Sequence, residues 1–175
     1  MAIERVGLIK FAGAEVTVIG PDIIVGQKAP EFTAQTQEWS SFKGLRDTKG
    51  KVRIISSILS LTTSVCDRET RRFNQEASNL DDRIIILTIS MDLPYTIKNW
   101  CAAAGIDRVI TLSDHKAADF GKKYGVLVKE HRVLRRAIVV VNQNNSVVYS
   151  AYMPAFGNEP DYPKVLEAAK RALRA

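Results

Sequence analysis

Residues 55–74 read ISSILSLTTSVCDRETRRFN, and the reading of this stretch decides the fold. It continues a run that begins at Val52, in which Ile54, Ile55 and Ile58 supply the β-branched apolar side chains of a buried central strand. The pattern then changes. Thr62, Thr63 and Ser64 are all residue types that cap helix starts, and Glu69, Arg71, Arg72 and Phe73 continue as a mostly polar, helix-compatible segment. The spacing predicts a helix from about Ser64 to Leu80, with Cys66 in its first turn. A thiol there lies beside unpaired backbone N–H groups and the positive end of the helix dipole, which both favour thiolate over thiol. Cys66 is therefore the candidate nucleophile, weighed against the inert burial that is the commoner fate of a lone cysteine. Thr63 is placed to aim its hydroxyl at the sulfur or at whatever the sulfur attacks.

Working outward, Arg83 to Ser90 is nearly all apolar and reads as a strand buried on both faces, the mark of parallel pairing across the intervening helix. Pro94 suits the first position of a second helix that runs through Trp100 and Cys101 and stops at Gly105. Val109 to Ser113 reads as a third strand, and Lys116 to Lys123 as a helix closed by Gly125. Val133 to Val141 and Val147 to Met153 read as a hairpin turned at Asn144-Asn145, and Asp161 to Leu173 as the last helix. On the N-terminal side, residues 3–9 and 15–20 form a hairpin about Gly13 that caps the core. Pro21 to Pro30 is loop, Glu31 to Thr36 a short extended piece, and residues 48–51 a turn. Alternating strands and helices closed by a β-hairpin and a helix predict an α/β fold with a mixed central sheet flanked by helices. At 175 residues, one domain spanning 1–175 is expected.

The spacing Thr63-x-x-Cys66, followed by Arg71-x-Phe73-Asn74, resembles the peroxidatic motif of peroxiredoxins, in particular of the bacterial thiol peroxidases, an atypical two-cysteine branch. Other stretches are similar to the same family. They are Phe11-x-Gly13-x-x-Val16-Thr17-Val18-x-Gly20; Ser90-x-Asp92-Leu93-Pro94 with Cys101-x-x-x-Gly105; Val109-Ile110-Thr111-Leu112-Ser113; Arg136-Ala137 before Ile138-Val139-Val140; and Glu159-Pro160-Asp161-Tyr162. The resemblance implies a thioredoxin-like fold of the peroxiredoxin type. It also implies a catalytic set of Cys66, Cys101, Thr63 and Arg136, in which Cys66 attacks a hydroperoxide, Cys101 resolves the sulfenic acid as an intramolecular disulfide, and thioredoxin reduces it. A homodimer is implied as well, and no metal or organic cofactor. Two positions depart from the family loop, which carries proline where Leu59 stands and aspartate where Thr62 stands. They motivate an alternative, a catalytically weakened sensor or binding protein on the same fold. A general disulfide oxidoreductase is disfavoured, because Glu69 occupies the second position of a Cys-x-x-Cys pair.

Hydrophobic residues at 46% and charged residues at 25% are ordinary globular values. No run approaches the ~18 apolar residues of a membrane span, and Glu4, Arg5, Lys10 and Glu15 break any signal-peptide core, so cytoplasm is expected. The net charge of +6 raises nucleic acid as a partner, through Arg68, Arg71 and Arg72 and through Lys129, Arg132, Arg135 and Arg136. No aromatic residue interleaves with those clusters, and Asp67, Glu69 and Glu130 interrupt them. They read as solvated faces. His115 and His131, the only histidines, have no metal-ligand spacing.

Overall fold

The computed structural model describes all 175 residues. Along the chain come β1 (Glu4–Phe11), β2 (Ala14–Ile19), β3 (Thr33–Gln35), β4 (Ser41–Lys43), β5 (Val52–Ser57), α1 (Ser64–Ala77), β6 (Ile84–Ser90) and α2 (Pro94–Ala104). There follow β7 (Ile110–Ser113), α3 (Asp119–Lys123), β8 (Leu127–Val128), β9 (Val133–Leu134), β10 (Ala137–Val141), β11 (Val147–Tyr152) and α4 (Tyr162–Arg174). Seven strands form a mixed sheet in the order β11-β10-β5-β6-β7-β3-β4, and four form a smaller sheet, β1-β2-β8-β9. Strands β5, β6 and β7 run parallel, as the apolar runs require, and antiparallel strands extend both edges. No helix is long and apolar enough to cross a membrane.

Side-chain alternation assigns the two faces of the large sheet. Val52 and Ile54 of β5 and Ile138 and Val140 of β10 pack with Phe73 of α1 and Val165, Leu166 and Ala169 of α4. Ile55, Val139 and Val141 point the other way, toward Phe32, Phe120 and Tyr124. The N-terminal hairpin turns tightly at Ala12 and Gly13, both at positive φ, which the two-residue turn between paired Phe11 and Ala14 requires.

Three sequence boundaries shift, each for a local reason. Helix α1 ends at Ala77 rather than Leu80, where the Ser78 hydroxyl turns back to the Gln75 carbonyl at 2.6 Å. Helix α3 starts at Asp119 rather than Lys116, because Ala118 is left-handed and the buried Asp114 carboxylate collects the N–H groups of Phe120 and Gly121. Burial pushes that carboxyl up to about 7 against those two bonds. The expected strand from Val133 to Val141 is two strands in different sheets, since β9 pairs with β8 while β10 pairs with β5 and β11. The chain changes sheet at Arg135 and Arg136, which are 6% and 2% exposed and so form no solvated face. Arg135 bonds Asp22 at 3.3 Å and lies over the Tyr152 ring at 4.8 Å, a pairing that offsets its burial. Arg136 turns toward α1.

Candidate active site

Cys66 is the third residue of α1, entirely buried, and carries a free thiol. Its helix is anchored by its buried face, on which Cys66, Glu69, Thr70 and Phe73 recur at helical spacing. The guanidinium of Arg136 reaches it from the start of β10, donating from Nη2 to the Cys66 sulfur at 3.1 Å and to the Phe156 carbonyl at 3.1 Å. Arg136 Nη1 pairs with Glu69 Oε2, and the other Glu69 oxygen accepts from the Ser56 hydroxyl at 2.7 Å. A chain of polar contacts thus runs from β5 through α1 to the sulfur. Burial opposes the charge on Arg136, but Glu69 and Cys66 outweigh it and raise its pKa above the ordinary arginine value. Burial pushes the Glu69 carboxyl up while Arg136 and Ser56 pull it back. Arg136 Nε is buried without an acceptor, an unspent donor within the same guanidinium.

Cys101 lies in the last turn of α2, also buried and free. It shares one apolar cluster with Cys66, Ile58, Leu61 and Ile97, against which Leu59, Trp100 and Ile106 pack. Its sulfur has a single polar neighbour, the Thr111 hydroxyl at 3.5 Å. Burial pushes the Cys101 thiol up, with Thr111 acting weakly in the other direction. Neither cysteine lines the main surface clefts, so small molecules reach the sulfurs only past the side chains that cover them. No group of three or more His, Cys, Asp or Glu side chains is placed to hold a metal ion.

A family model described as Redoxin matches residues 24–166. The chain belongs to the redoxin family. It is 52% identical over 158 residues to the thiol peroxidase of Oceanobacillus iheyensis, a match covering 90% of this chain and 95% of that one. It is 48% identical over 166 residues to the thiol peroxidase of Bacillus subtilis, covering 95% and 98%. Among solved structures, a peroxiredoxin-like protein from Aquifex aeolicus is similar with a TM-score of 0.86 and 30% identity over 98% of both chains. A thiol peroxidase from Chromobacterium violaceum follows the same fold with a TM-score of 0.81 at 21% identity, covering 95% of this chain and 97% of its own. The fold is thioredoxin-like, of the peroxiredoxin type.

In this redoxin the remaining sequence candidates fall into different places. Thr63 is the N-cap of α1, but its hydroxyl donates to the Ser60 carbonyl at 2.9 Å instead of reaching the sulfur. Arg71 pairs with Asp67 and stacks on Trp100 at 5.5 Å, on the outside of the helix and away from the sulfur. Leu59 packs into the cysteine cluster, and Thr62 is exposed. Asp92 precedes Leu93, the N-cap of α2, and its carboxylate turns to the loop before Cys66, accepting from the Ser60 hydroxyl at 2.7 Å and the Leu61 N–H at 2.9 Å. Sequence reading missed the site roles of Glu69, Ser56 and Phe156. The available signal was a carboxylate one helical turn beyond Cys66, on the face that also carries Phe73, where an unpartnered glutamate is not tolerated.

Proposed function

We propose that this redoxin is a thiol-dependent peroxidase that reduces hydrogen peroxide or organic hydroperoxides through Cys66, with Cys101 as the resolving thiol. The carrying observation is the Arg136 guanidinium donating to the buried Cys66 sulfur at 3.1 Å. A fixed cation at that distance in a dry site stabilises negative charge on the sulfur and on the oxygen that leaves it. The thiolate attacks one peroxide oxygen and the O–O bond breaks. Cys66 becomes a sulfenic acid, and the other oxygen departs as water or alcohol after taking a proton. Thr63 spends its hydroxyl hydrogen on Ser60 and keeps lone pairs that can accept from the hydroperoxide O–H. The Cys101 thiol then displaces hydroxide from the sulfenic sulfur, forming the disulfide and, with its proton, water.

A dithiol protein of the thioredoxin type would return both thiols, which places the cycle in a reducing compartment such as the cytoplasm. A homodimer belongs to the same reading, although both thiols lie in one chain. The alternative of a decayed site, motivated by Leu59 and Thr62, is not favoured, because the contacts from Ser56 through Glu69 and Arg136 to Cys66 are intact. The test is steady-state consumption of hydrogen peroxide and cumene hydroperoxide with thioredoxin and its reductase. Sustained turnover with a Cys66–Cys101 disulfide after oxidation is expected; a single reaction without turnover would overturn the reading.

A further inference from the structure

Asp92 sits in the bend between β6 and α2, and its carboxylate is shared between two segments. Oδ1 accepts from the Ser60 hydroxyl at 2.7 Å, and Oδ2 accepts from the Leu61 N–H at 2.9 Å and the Ser90 hydroxyl at 2.9 Å. Its carbonyl accepts from the Ser113 hydroxyl at 2.5 Å, which fixes the bend to β7. Ser60 and Leu61 belong to the loop that delivers Cys66, while Leu93 and Pro94, next in sequence, begin the helix that delivers Cys101. The loop has few other restraints. Leu59 offers no ring to fix φ and its N–H bonds nothing within the chain, and the local bonds to the Ser60 carbonyl come from Thr63 alone.

We infer that Asp92 is a positioning residue that latches the Cys66 loop to the Cys101 helix, holding Cys66 on Arg136 for attack and releasing before the disulfide closes. The inference rests on the Cys66–Cys101 cycle proposed above. In the latched form the two sulfurs face different partners, Arg136 and Thr111. Bonding requires a disulfide geometry in which the Cα atoms lie within about 7 Å and both sulfurs have left those partners. Turning of the loop before Cys66 carries its sulfur off Arg136 toward Cys101 in the same apolar cluster. Carboxylate hydrogen bonds are roughly twice as strong as neutral ones, so this one side chain resists that movement on the loop side, beside the burial of Ile58 and Leu61.

The two steps respond to the latch with opposite sign, which a merely structural role would not produce. Asp92→Asn keeps the shape but exchanges one acceptor oxygen for an N–H₂ group, and Ser60→Ala removes a single contact. Stopped-flow emission of Trp100, which packs on the cysteine cluster, in a Trp39→Phe background separates the two phases after mixing with hydrogen peroxide. Acid-quenched mass spectrometry assigns them to sulfenic acid and disulfide. In Asp92→Asn the first step is expected to slow by about tenfold while disulfide closure quickens severalfold, with Ser60→Ala shifted the same way by less. Both steps slowing together, or neither changing, in folded variants would overturn the latch, and Ser60→Ala decides if Asp92→Asn does not fold. Wild-type protein that consumes peroxide but closes no Cys66–Cys101 disulfide would instead overturn the underlying cycle, and the latch with it.

Discussion

The two cysteines occupy one apolar cluster and yet live in different electrostatic worlds. Cys66 starts a helix, where backbone N–H groups converge, and receives a guanidinium that is itself held by a buried carboxylate. Cys101 ends a helix, where carbonyls converge, and has one hydroxyl for company. The first sulfur thus has a helix N-terminus and a cation beside it, whereas at the second burial keeps the proton on the thiol and the Thr111 hydroxyl opposes this only weakly. Shared burial therefore decides little by itself. What separates an attacking sulfur from a waiting one is which end of a helix it occupies and which charge reaches it.

The sharpest break in that comparison is to remove each sulfur in turn. Cys66→Ser should abolish peroxide reduction, since a hydroxyl is not ionised at neutral pH. Cys101→Ser should leave the first reaction with peroxide intact and end thioredoxin-supported turnover. Rapid-quench measurement of one equivalent of peroxide, beside the steady-state assay, separates the two. Substantial activity in Cys66→Ser, or normal cycling in Cys101→Ser, would contradict the division of roles.

Removing the charge rather than the sulfur should produce the next largest effect. Arg136→Met is expected to slow the peroxide step by about 10²–10³, the usual effect of deleting one donor to developing negative charge. It also leaves Glu69 buried without its cation, which should destabilise the fold by about 3–5 kcal/mol. The double variant R136M/E69Q separates these effects, because chemical denaturation should show stability largely restored while the rate stays low. A recovered rate would mean that Arg136 acts through folding alone.

A gentler probe is pH. Because burial holds the Cys101 thiol above its ordinary value, its thiolate is scarce at neutrality and its fraction grows about tenfold per pH unit. Disulfide closure, followed by mass spectrometry after quenching, should accelerate accordingly as pH rises toward that value. A closure rate independent of pH would show that loop movement, not the Cys101 thiolate, limits the step.

Much of this site is legible in the chain. Cys66 announces itself through a strand, a run of capping residues and a polar helix, all read from local pattern. Pro94 and Gly105 mark the Cys101 helix as clearly, and Gly105 is indeed left-handed at φ 68°. The parts that stay hidden depend on contacts far apart in sequence. The family resemblance names Arg136, but by residue pattern alone it and Arg135 look like members of a solvated basic cluster until β9 and β10 are seen to lie in different sheets, which forces both inward. Arg53 is similar: it is fully buried among core residues and satisfied by Thr48, Leu45, Asn142 and Asn145, partners that periodicity does not report. Phe156 enters the site only through its carbonyl, held in place where its ring meets Phe11 of the N-terminal hairpin at 5.4 Å. No side-chain motif encodes a backbone acceptor.

The smallest expected effect concerns the loop that carries Cys66, where the family resemblance implies a proline and leucine stands. Leu59→Pro tests whether the Asp92 contacts have taken over the work of a ring. The substitution removes no backbone hydrogen bond, since the Leu59 N–H is unbonded, and the preceding Ile58 keeps its own N–H on the Ile89 carbonyl at 3.0 Å. Reducing the freedom of the unfolded chain should stabilise by about 0.4–1 kcal/mol. Against this stands the loss of part of a half-buried leucine side chain that packs on the cysteine cluster, a term of similar size. The two nearly cancel, so the melting temperature should move by no more than a few degrees and the peroxide rate by no more than about threefold. The carboxylate of Asp92 already orders the loop, which leaves a ring little to add. A rate increase beyond tenfold would show that the loop is loose in spite of those contacts, and a comparable loss that the cluster has been rebuilt around leucine.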